Sequence, residues 1–562
     1  MSIRKLLSIG VILLSIFASL QNTLAQILSN QPQELLRNRI ETADASPKIT
    51  VGEELIHASV MSPLFYKKRA YQPAWSNKDG PLPQVASLLK VLKEADKEGL
   101  KPENYHLIKI EAILKEVRQN RAKKLPLSPR RLINLDLLLT DAFLIYASHL
   151  LAGKVNPETI DPEWRANRRE KDLASVLQTA LNSNRIEEEL KSLLPPYDSY
   201  VKLREALARY RDIAEKGGWP IVPDGSKLQK GDRGERVMAL KNRLLATGDL
   251  DFIKGIEEDI FDEPLEQAVL RFQKRHGLET DGVVGPKTLA ALNVPVEARI
   301  EQIRLNLERW RWLQQDLGKR YILINITNFE LEVVENTKLL MDMKAIVGKH
   351  YRHTPVFSGR ITYLVLCPYW EVPPKIAVKD ILPLVKKNPG HLINENFKLL
   401  QGWGDETVEI EPTSVDWSKV TSRNFNYRLR QEPGPKNALG RVKFMFPNRF
   451  DVYLHDTPSR ELFAKTERTF SSGCIRIEKP IELAEYVLKG DPKWTKAKIL
   501  LAISKWEEQI IRLPEAIPIH LLYWTAWADK DGTVHFRKDI YGRDKLLAEA
   551  LAENPPLSLK SE

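Results

Sequence analysis

Two short segments hold the residues best suited to chemistry: Tyr453-Leu454-His455-Asp456-Thr457-Pro458 and, downstream, Phe470-Ser471-Ser472-Gly473-Cys474-Ile475-Arg476. Cys474 follows His455 by 19 residues, which supplies the parts of a cysteine nucleophile site. A thiol with a pKa of about 8.5 is mostly protonated at neutral pH, so an imidazole that takes its proton raises the reactive fraction roughly tenfold or more. Gly473 removes the side chain just before the nucleophile and lets the N–H groups of Gly473 and Cys474 approach a developing oxyanion, a geometry suited to acyl transfer. The resulting thioester can pass to an amine or to water, so the same nucleophile serves a transferase or a hydrolase. One Cys and one His in a chain of 562 residues are weak evidence taken alone.

The neighbouring reactive side chains read differently. His350 and His353 sit just before Thr354 with no carboxylate or cysteine at metal spacing, so they are expected on the surface, and neither a metal nor a cofactor is expected. Cys367 ends an apolar strand pattern and reads as a small buried hydrophobe. Tyr453 and Trp370 are candidates to line a cleft beside Cys474, and Arg476 is a candidate to pair with a substrate carboxylate through its planar fork.

The elements that must position these residues suggest a multi-domain α+β chain. Residues 26–220 read as a helical scaffold, with Val85, Leu88, Leu89, Leu92 and Ala95 at helical spacing and Leu132, Leu135, Leu139, Phe143, Tyr146 and Leu150 repeating it. After the Pro223-Asp224-Gly225 break, residues 227–293 show three short helix signals, the last opened by Gly285-Pro286. Residues 294–320 read as a helical connector. From Tyr321 the apolar period switches to two, through Ile322, Ile324, Ile326, Leu331, Val333, Ala345 and Val347, which predicts a β-rich domain over 321–505. A polar insertion over about 375–440 is long enough to cap a site, strand pattern resumes over Val442–Phe446 and Arg449–Leu454, and 506–562 is left as a C-terminal segment.

Charge and the N-terminus bound the setting. The net charge of +11 suits an anionic partner, but no zinc spacing or aromatic RNA-binding stripe appears, so nucleic acid is not expected. Arg4 and Lys5, the apolar run Leu6–Leu20 and the small residue Ala25 read as a secretory signal over 1–25, with an inner-membrane anchor as the alternative. Export places the chain in an oxidising compartment, where two cysteines are too few for a disulfide framework.

Two resemblances add to this reading. Gly231-Asp232-Arg233-Gly234, Phe272-Gln273-Lys274-Arg275-His276-Gly277-Leu278 and Asp281-Gly282-Val283-Val284-Gly285-Pro286-Lys287-Thr288-Leu289 resemble the peptidoglycan-binding domain family; a plain spacer that keeps the fold is the alternative. His455, a gap of 15 residues and then Ser471-Ser472-Gly473-Cys474 resemble the L,D-transpeptidase catalytic domain, as do Thr354 to Gly359, Pro368-Tyr369-Trp370 and Pro433 to Gly440. Ser472 stands where the commoner signature has His, and Arg476 where many members have Asn, a pattern found in the larger Gram-negative branch. The resemblance implies a periplasmic enzyme of cell-wall biogenesis and cell shape, in which Cys474 attacks the third residue of a peptidoglycan tetrapeptide stem and forms 3→3 crosslinks. It also implies that His455 is base and then acid, that Asp456 orients the ring through its carbonyl, and that Ser471 and Ser472 lie against substrate. Carbapenems are implied as inhibitors, and other wall-synthesis enzymes as partners. Hydrolysis to a shortened stem, attachment of a lipoprotein and a non-catalytic wall-binding role remain alternatives.

Overall fold

The computed structural model describes residues 31–42, 48–165, 168–251 and 259–553; the expected signal over 1–25 lies outside them. The scaffold is built around helix α1 (Pro129–Ala152), which is long and apolar enough to cross a membrane yet is mostly buried among the other scaffold helices. Its polar residues are satisfied inside that core. The Asp136 carboxylate accepts hydrogen bonds from the Ala74 and Trp75 N–H groups at 2.8 and 2.9 Å and from the Tyr66 hydroxyl at 2.8 Å, which offsets the cost of burying it.

Residues 235–292 form a separate small core from helices α2 (Glu235–Ala246), α3 (Glu263–Arg275) and α4 (Pro286–Leu292). Asp262 caps α3 by accepting from the Leu265 N–H, and Pro286 starts α4 where its missing N–H costs nothing. Val237, Leu240, Leu244, Leu265, Phe272 and Leu292 meet inside. The stretch expected as a simple connector is instead a buried hub, helix α5 (Val296–Arg311). Glu308 and Arg311, each 1% exposed, pair at 2.9 Å, Glu308 accepts from the Val155 N–H at 2.7 Å, and Arg309 pairs with Asp544 at 2.6 Å. Gly153 sits against this hub at φ +81°, and a Cβ there would come within 2.6 Å of Glu308 and Trp312, so glycine is required both for conformation and for space.

The β-rich domain is a nine-stranded sheet. Its strands are β1 (Arg320–Asn325), β2 (Glu330–Glu335), β3 (Lys338–Gly348) and β4 (Phe357–Leu366). After the cap come β5 (Val442–Met445), β6 (Leu454–His455), β7 (Thr469–Ser471), β8 (Ile475–Ile477) and β9 (Gln509–Leu522). The order is β7-β3-β8-β6-β5-β4-β9-β1-β2, and β2 also pairs with β3, so the sheet curls round on its own core. Two boundaries differ from the sequence reading. The sheet does not end at residue 505, because β9 lies between β4 and β1; the C-terminal segment is therefore structural. Arg449–Leu454 is not a strand until its last residue: the Asn448 side chain donates to the Phe446 and Val452 carbonyls at 2.6 and 2.7 Å, and Asp451 takes φ +54°, which turns the chain.

The cap spans Trp370 to about Gln431, and is more than a polar insertion. It holds a four-stranded sheet, made by Trp370–Glu371, Phe397–Gln401, Val408–Ile410 and Arg428–Gln431, with short helices on it. Val385, Leu392, Leu399, Trp417 and Leu429 give it a core of its own, which its charged surface hides from a pattern search.

Candidate active site

Strand register brings the chemistry together. Lys443 on β5 pairs with His455 on β6, and His455 with Arg476 on β8. Phe444, Leu454 and Ile475, the partners one step along, are fully buried in the sheet core. Because side chains alternate across a strand, Lys443, Tyr453, His455, Cys474 and Arg476 all fall on the other face. This face lies toward the cap, where the Trp370 side chain comes near the Tyr453 hydroxyl.

His455 is 4% exposed, and its Nδ1–H donates to the Asp456 carbonyl at 2.6 Å. That bond assigns the proton to Nδ1 and leaves Nε2 as the acceptor. The Asp456 carboxylate is occupied elsewhere, by the Arg441 N–H and Nε at 3.0 and 2.8 Å and by Arg460 at 3.3 Å. Burial, then the Arg476 charge, drives His455 down to about 3, so it is neutral at physiological pH.

The Cys474 thiol donates to the Asp451 carbonyl at 3.8 Å, not to His455. Burial pushes this thiol up, while hydrogen bonds from the Tyr453 backbone and hydroxyl and the charges of Lys443 and Arg476 act the other way. The resting pair is thus a neutral thiol and a neutral imidazole inside a cationic pocket poised to hold a thiolate. Lys443, with its Nζ 4.1 Å from the centre of the Tyr453 ring, was not singled out in the sequence. Its signal was available: it is the one polar position between Val442 and Phe444 that the strand period turns toward His455.

The nucleophile loop is held from beneath. Gly473 has φ +119°, which favours glycine. Its N–H donates to Ser471 Oγ at 3.2 Å, so the expected pair of oxyanion donors, Gly473 and Cys474, is not presented together. Ser471, expected against substrate, is 2% exposed and donates to the Cys474 carbonyl; it shapes the loop rather than facing the cleft. Thr354 donates to the Gly473 carbonyl at 2.8 Å and accepts from the Gly348 N–H at 2.9 Å. Ser472 is exposed and accepts from Arg352 at 2.7 Å; Arg352 also pairs with Asp380 in the cap. Arg476 makes no ion pair among the described residues, and its Nε is buried without a partner. Cys367 is fully buried with its thiol on the Ile503 carbonyl at 3.4 Å. His350 and His353 pair with Glu467 and Glu163 at 3.2 and 3.3 Å, and no cluster of three or more His, Cys, Asp or Glu residues that could hold a metal occurs among the described residues.

Residues 319–495 match the family described as "L,D-transpeptidase catalytic domain". The chain carries an L,D-transpeptidase catalytic domain. Residues 233–292 match the "Putative peptidoglycan binding domain" and residues 63–207 the "Scaffold domain". A "Putative L,D-transpeptidase" of Haemophilus influenzae is 35% identical over 226 residues, which are 40% of this chain and 44% of that protein. The N-acetylmuramoyl-L-alanine amidase CwlM of Mycobacterium tuberculosis is 38% identical over 80 residues, 13% of this chain and 20% of its own length. The chain thus spans less than half the length of either curated relative. A solved L,D-transpeptidase of Stackebrandtia nassauensis is 13% identical, covering 54% of this chain and 96% of its own, with a TM-score of 0.21; at that score no geometry passes from it to this L,D-transpeptidase domain.

Proposed function

We propose that this chain is a cysteine-dependent peptidoglycan transpeptidase that forms 3→3 crosslinks between stem peptides in the periplasm. The observation that carries the reading is the shared face of Cys474, His455, Tyr453, Lys443 and Arg476, with His455 fixed in the Nδ1–H tautomer by the Asp456 carbonyl. In the reaction, Cys474 Sγ adds to the carbonyl of the third stem residue. His455 Nε2 takes the thiol proton and returns it to the amine of the departing D-alanine, leaving a thioester. The amine of a second stem then attacks the thioester carbonyl and releases the thiol. Arg476, cationic, poorly satisfied and on the same face, suits the carboxylate of the donor stem. Tyr453 offers its backbone N–H and its hydroxyl beside the sulfur, where they favour the thiolate.

The 233–292 domain would hold the enzyme on its polymer, export would follow from the signal over 1–25, and carbapenems would acylate the same thiol. The test is mass spectrometry of muropeptides after incubation with tetrapeptide-bearing sacculi. Crosslinked dimers joined through third residues are expected; trimmed tripeptides alone would mean hydrolysis, and unchanged material would overturn the enzyme reading.

A further inference from the structure

The direction of one backbone N–H at the nucleophile is set by residues far from it in the chain. Thr354, fully buried, donates its hydroxyl to the Gly473 carbonyl at 2.8 Å. In a trans peptide the carbonyl and the next N–H point in opposite directions, so fixing the Gly473 carbonyl on Thr354 aims the Cys474 N–H the other way. That N–H has no hydrogen-bond partner among the described residues, whereas the Gly473 N–H is occupied by Ser471. Cys474 thus keeps one backbone donor for an oxyanion, and Thr354 sets its direction.

Thr354 is in turn gripped from two sides. From the C-terminal segment, the Tyr541 hydroxyl accepts from the Thr354 N–H at 3.3 Å and donates to the Gly348 carbonyl at 2.7 Å; the Gly348 N–H closes the ring by donating to Thr354 Oγ1 at 2.9 Å. The Arg543 guanidinium, on a residue 1% exposed, donates to the Thr354 carbonyl at 3.4 Å. From the scaffold, Asp161 and Glu163 hold that guanidinium at 2.7 and 3.4 Å. The same stretch pairs with Val356 as a parallel bridge: the Val356 N–H donates to the Glu163 carbonyl at 2.9 Å, and the Arg165 N–H to the Val356 carbonyl at 2.8 Å. His353 completes the grip, with its ring stacked on Tyr541 at 4.3 Å and its Nδ1 3.3 Å from Glu163.

A buried guanidinium paired with carboxylates adds little stability over apolar groups of the same size, because desolvation offsets the attraction. What it adds is direction, since a planar fork bonded to Asp161, Glu163 and the Thr354 carbonyl admits one placement of Thr354. We propose that Tyr541, Arg543 and the scaffold stretch 161–165 form a positioning clamp that acts through Thr354 to aim the Cys474 N–H at the oxyanion of acyl transfer. The clamp rests on the acyl-transfer reading of Cys474 and extends it, because it makes the scaffold a working part of the active centre. Its members are positioning residues: their bonds lead to Thr354, Gly348 and Val356, and the nucleophile is reached only through the loop backbone.

The test compares two reactions of the same thiol in the full chain. Acylation by a carbapenem builds an oxyanion and needs the aimed N–H, whereas alkylation by iodoacetamide displaces iodide and builds none. Tyr541→Phe keeps the ring and removes the hydroxyl bonded to Thr354 and Gly348. Its acylation rate is expected to fall roughly tenfold or more, a share of the ~10²–10³-fold that loss of an oxyanion donor costs, while alkylation changes less than about twofold. The double variant Asp161→Asn with Glu163→Gln, which weakens the scaffold's hold on Arg543, should move the ratio of the two rates in the same direction, and it decides if Tyr541→Phe misfolds. An unchanged ratio would overturn the clamp, whether both rates stay at wild type or both fall together; the second result would reduce these residues to structural support. A wild-type chain whose Cys474 is alkylated but not acylated would overturn the acyl-transfer reading, and the clamp with it.

Discussion

The cap and the 235–292 helical unit are both modules with private apolar cores, yet they are attached in opposite ways. The helical unit docks through buried groups: the Arg275 guanidinium, paired with Asp249, reaches the Val534 carbonyl, His276 stacks near Phe536 at 5.5 Å, and Arg537 donates to the Arg275 carbonyl at 2.9 Å. These contacts lead to the C-terminal hairpin and not to Cys474. The cap instead touches the chemistry lightly, with Trp370 near the Tyr453 hydroxyl and one polar chain from Asp380 through Arg352 to Ser472. The difference teaches that firmness of docking and coupling to a reaction are separate properties: the firmly held module lies remote from the nucleophile, and the lightly held one rests on its loop.

The largest effects should come from neither module. Cys474→Ala is expected to abolish crosslinking and the intact-mass adduct of a carbapenem while leaving the fold unchanged, since the residue is half-buried at a loop. An adduct that persists, or that maps to Cys367, would name the wrong cysteine. His455→Ala should slow acylation by roughly 10²–10⁴-fold at neutral pH and recover part of it at alkaline pH, where the thiol ionises unaided. The wild-type profile has a definite sign. His455, held down to about 3, stays neutral above pH 5 and gives no acid limb there, whereas the raised Cys474 thiol makes alkylation by iodoacetamide climb steadily with pH into the alkaline range. A wild-type limb near pH 6.5 would contradict this burial of His455.

Acid should then unsettle both the sheet and the helical unit before the cap. His455 falls to about 3 and His520 to about 4 through burial, and burial also lowers His276 well below its ordinary value. Each is depressed on folding, so its neutral form favours the folded state fully above the unfolded value of about 6.5, and that contribution is lost as pH falls toward 4. The unfolding midpoint measured by calorimetry is expected to drop across that window. A flat midpoint from pH 7 to 4 would show that these rings are not buried neutral.

A smaller change should follow from unlatching the cap. Arg352→Ala removes the bonds to Asp380 and Ser472, and because the ion pair is partly exposed it contributes on the order of 1 kcal/mol, equivalent to about fivefold in acylation rate. Asp380→Asn should give part of the same loss, and the double variant should cost no more than Arg352→Ala alone. Additive losses in stopped-flow acylation would show that the two residues do not act as one latch.

Which features were legible in the sequence follows from how local their causes are. The three helices of the small domain were marked by caps, glycines and prolines within each segment, and they stand where those signals fall. His455 and Cys474 were visible as residue types at a telling separation. Lys443 showed only as a polar position inside an apolar strand and Arg352 not at all, because their importance depends on register and on contact between segments far apart in the chain. The hub role of α5 was hidden for a related reason: Glu308, Arg309 and Arg311 read as surface charges until their partners from the scaffold and the C-terminus are placed around them. Strand β9 was likewise left in a terminal segment because its place in the sheet is set by β4 and β1, more than a hundred residues away.

The smallest effect on chemistry is expected from removing residues 227–293. The domain approaches the rest of the molecule through Arg275, His276 and the Gly277 turn, where a Cβ would lie 2.6 Å from Arg537. Its loss uncovers Phe536 and releases Arg537, so the C-terminal hairpin should loosen and the unfolding midpoint fall by a few degrees. The nucleophile loop is held by Thr354, Ser471 and Gly348, none of which touches the deleted segment. Acylation of Cys474 by a small β-lactam should therefore change less than about threefold, the size of a perturbation worth well under 1 kcal/mol. Sacculus pull-down should fall much further, by the avidity that a second attachment to the same polymer supplies. Equal pull-down by deleted and full-length protein would reduce the domain to a spacer, and a large loss of β-lactam acylation would show that its docking reaches Cys474 after all.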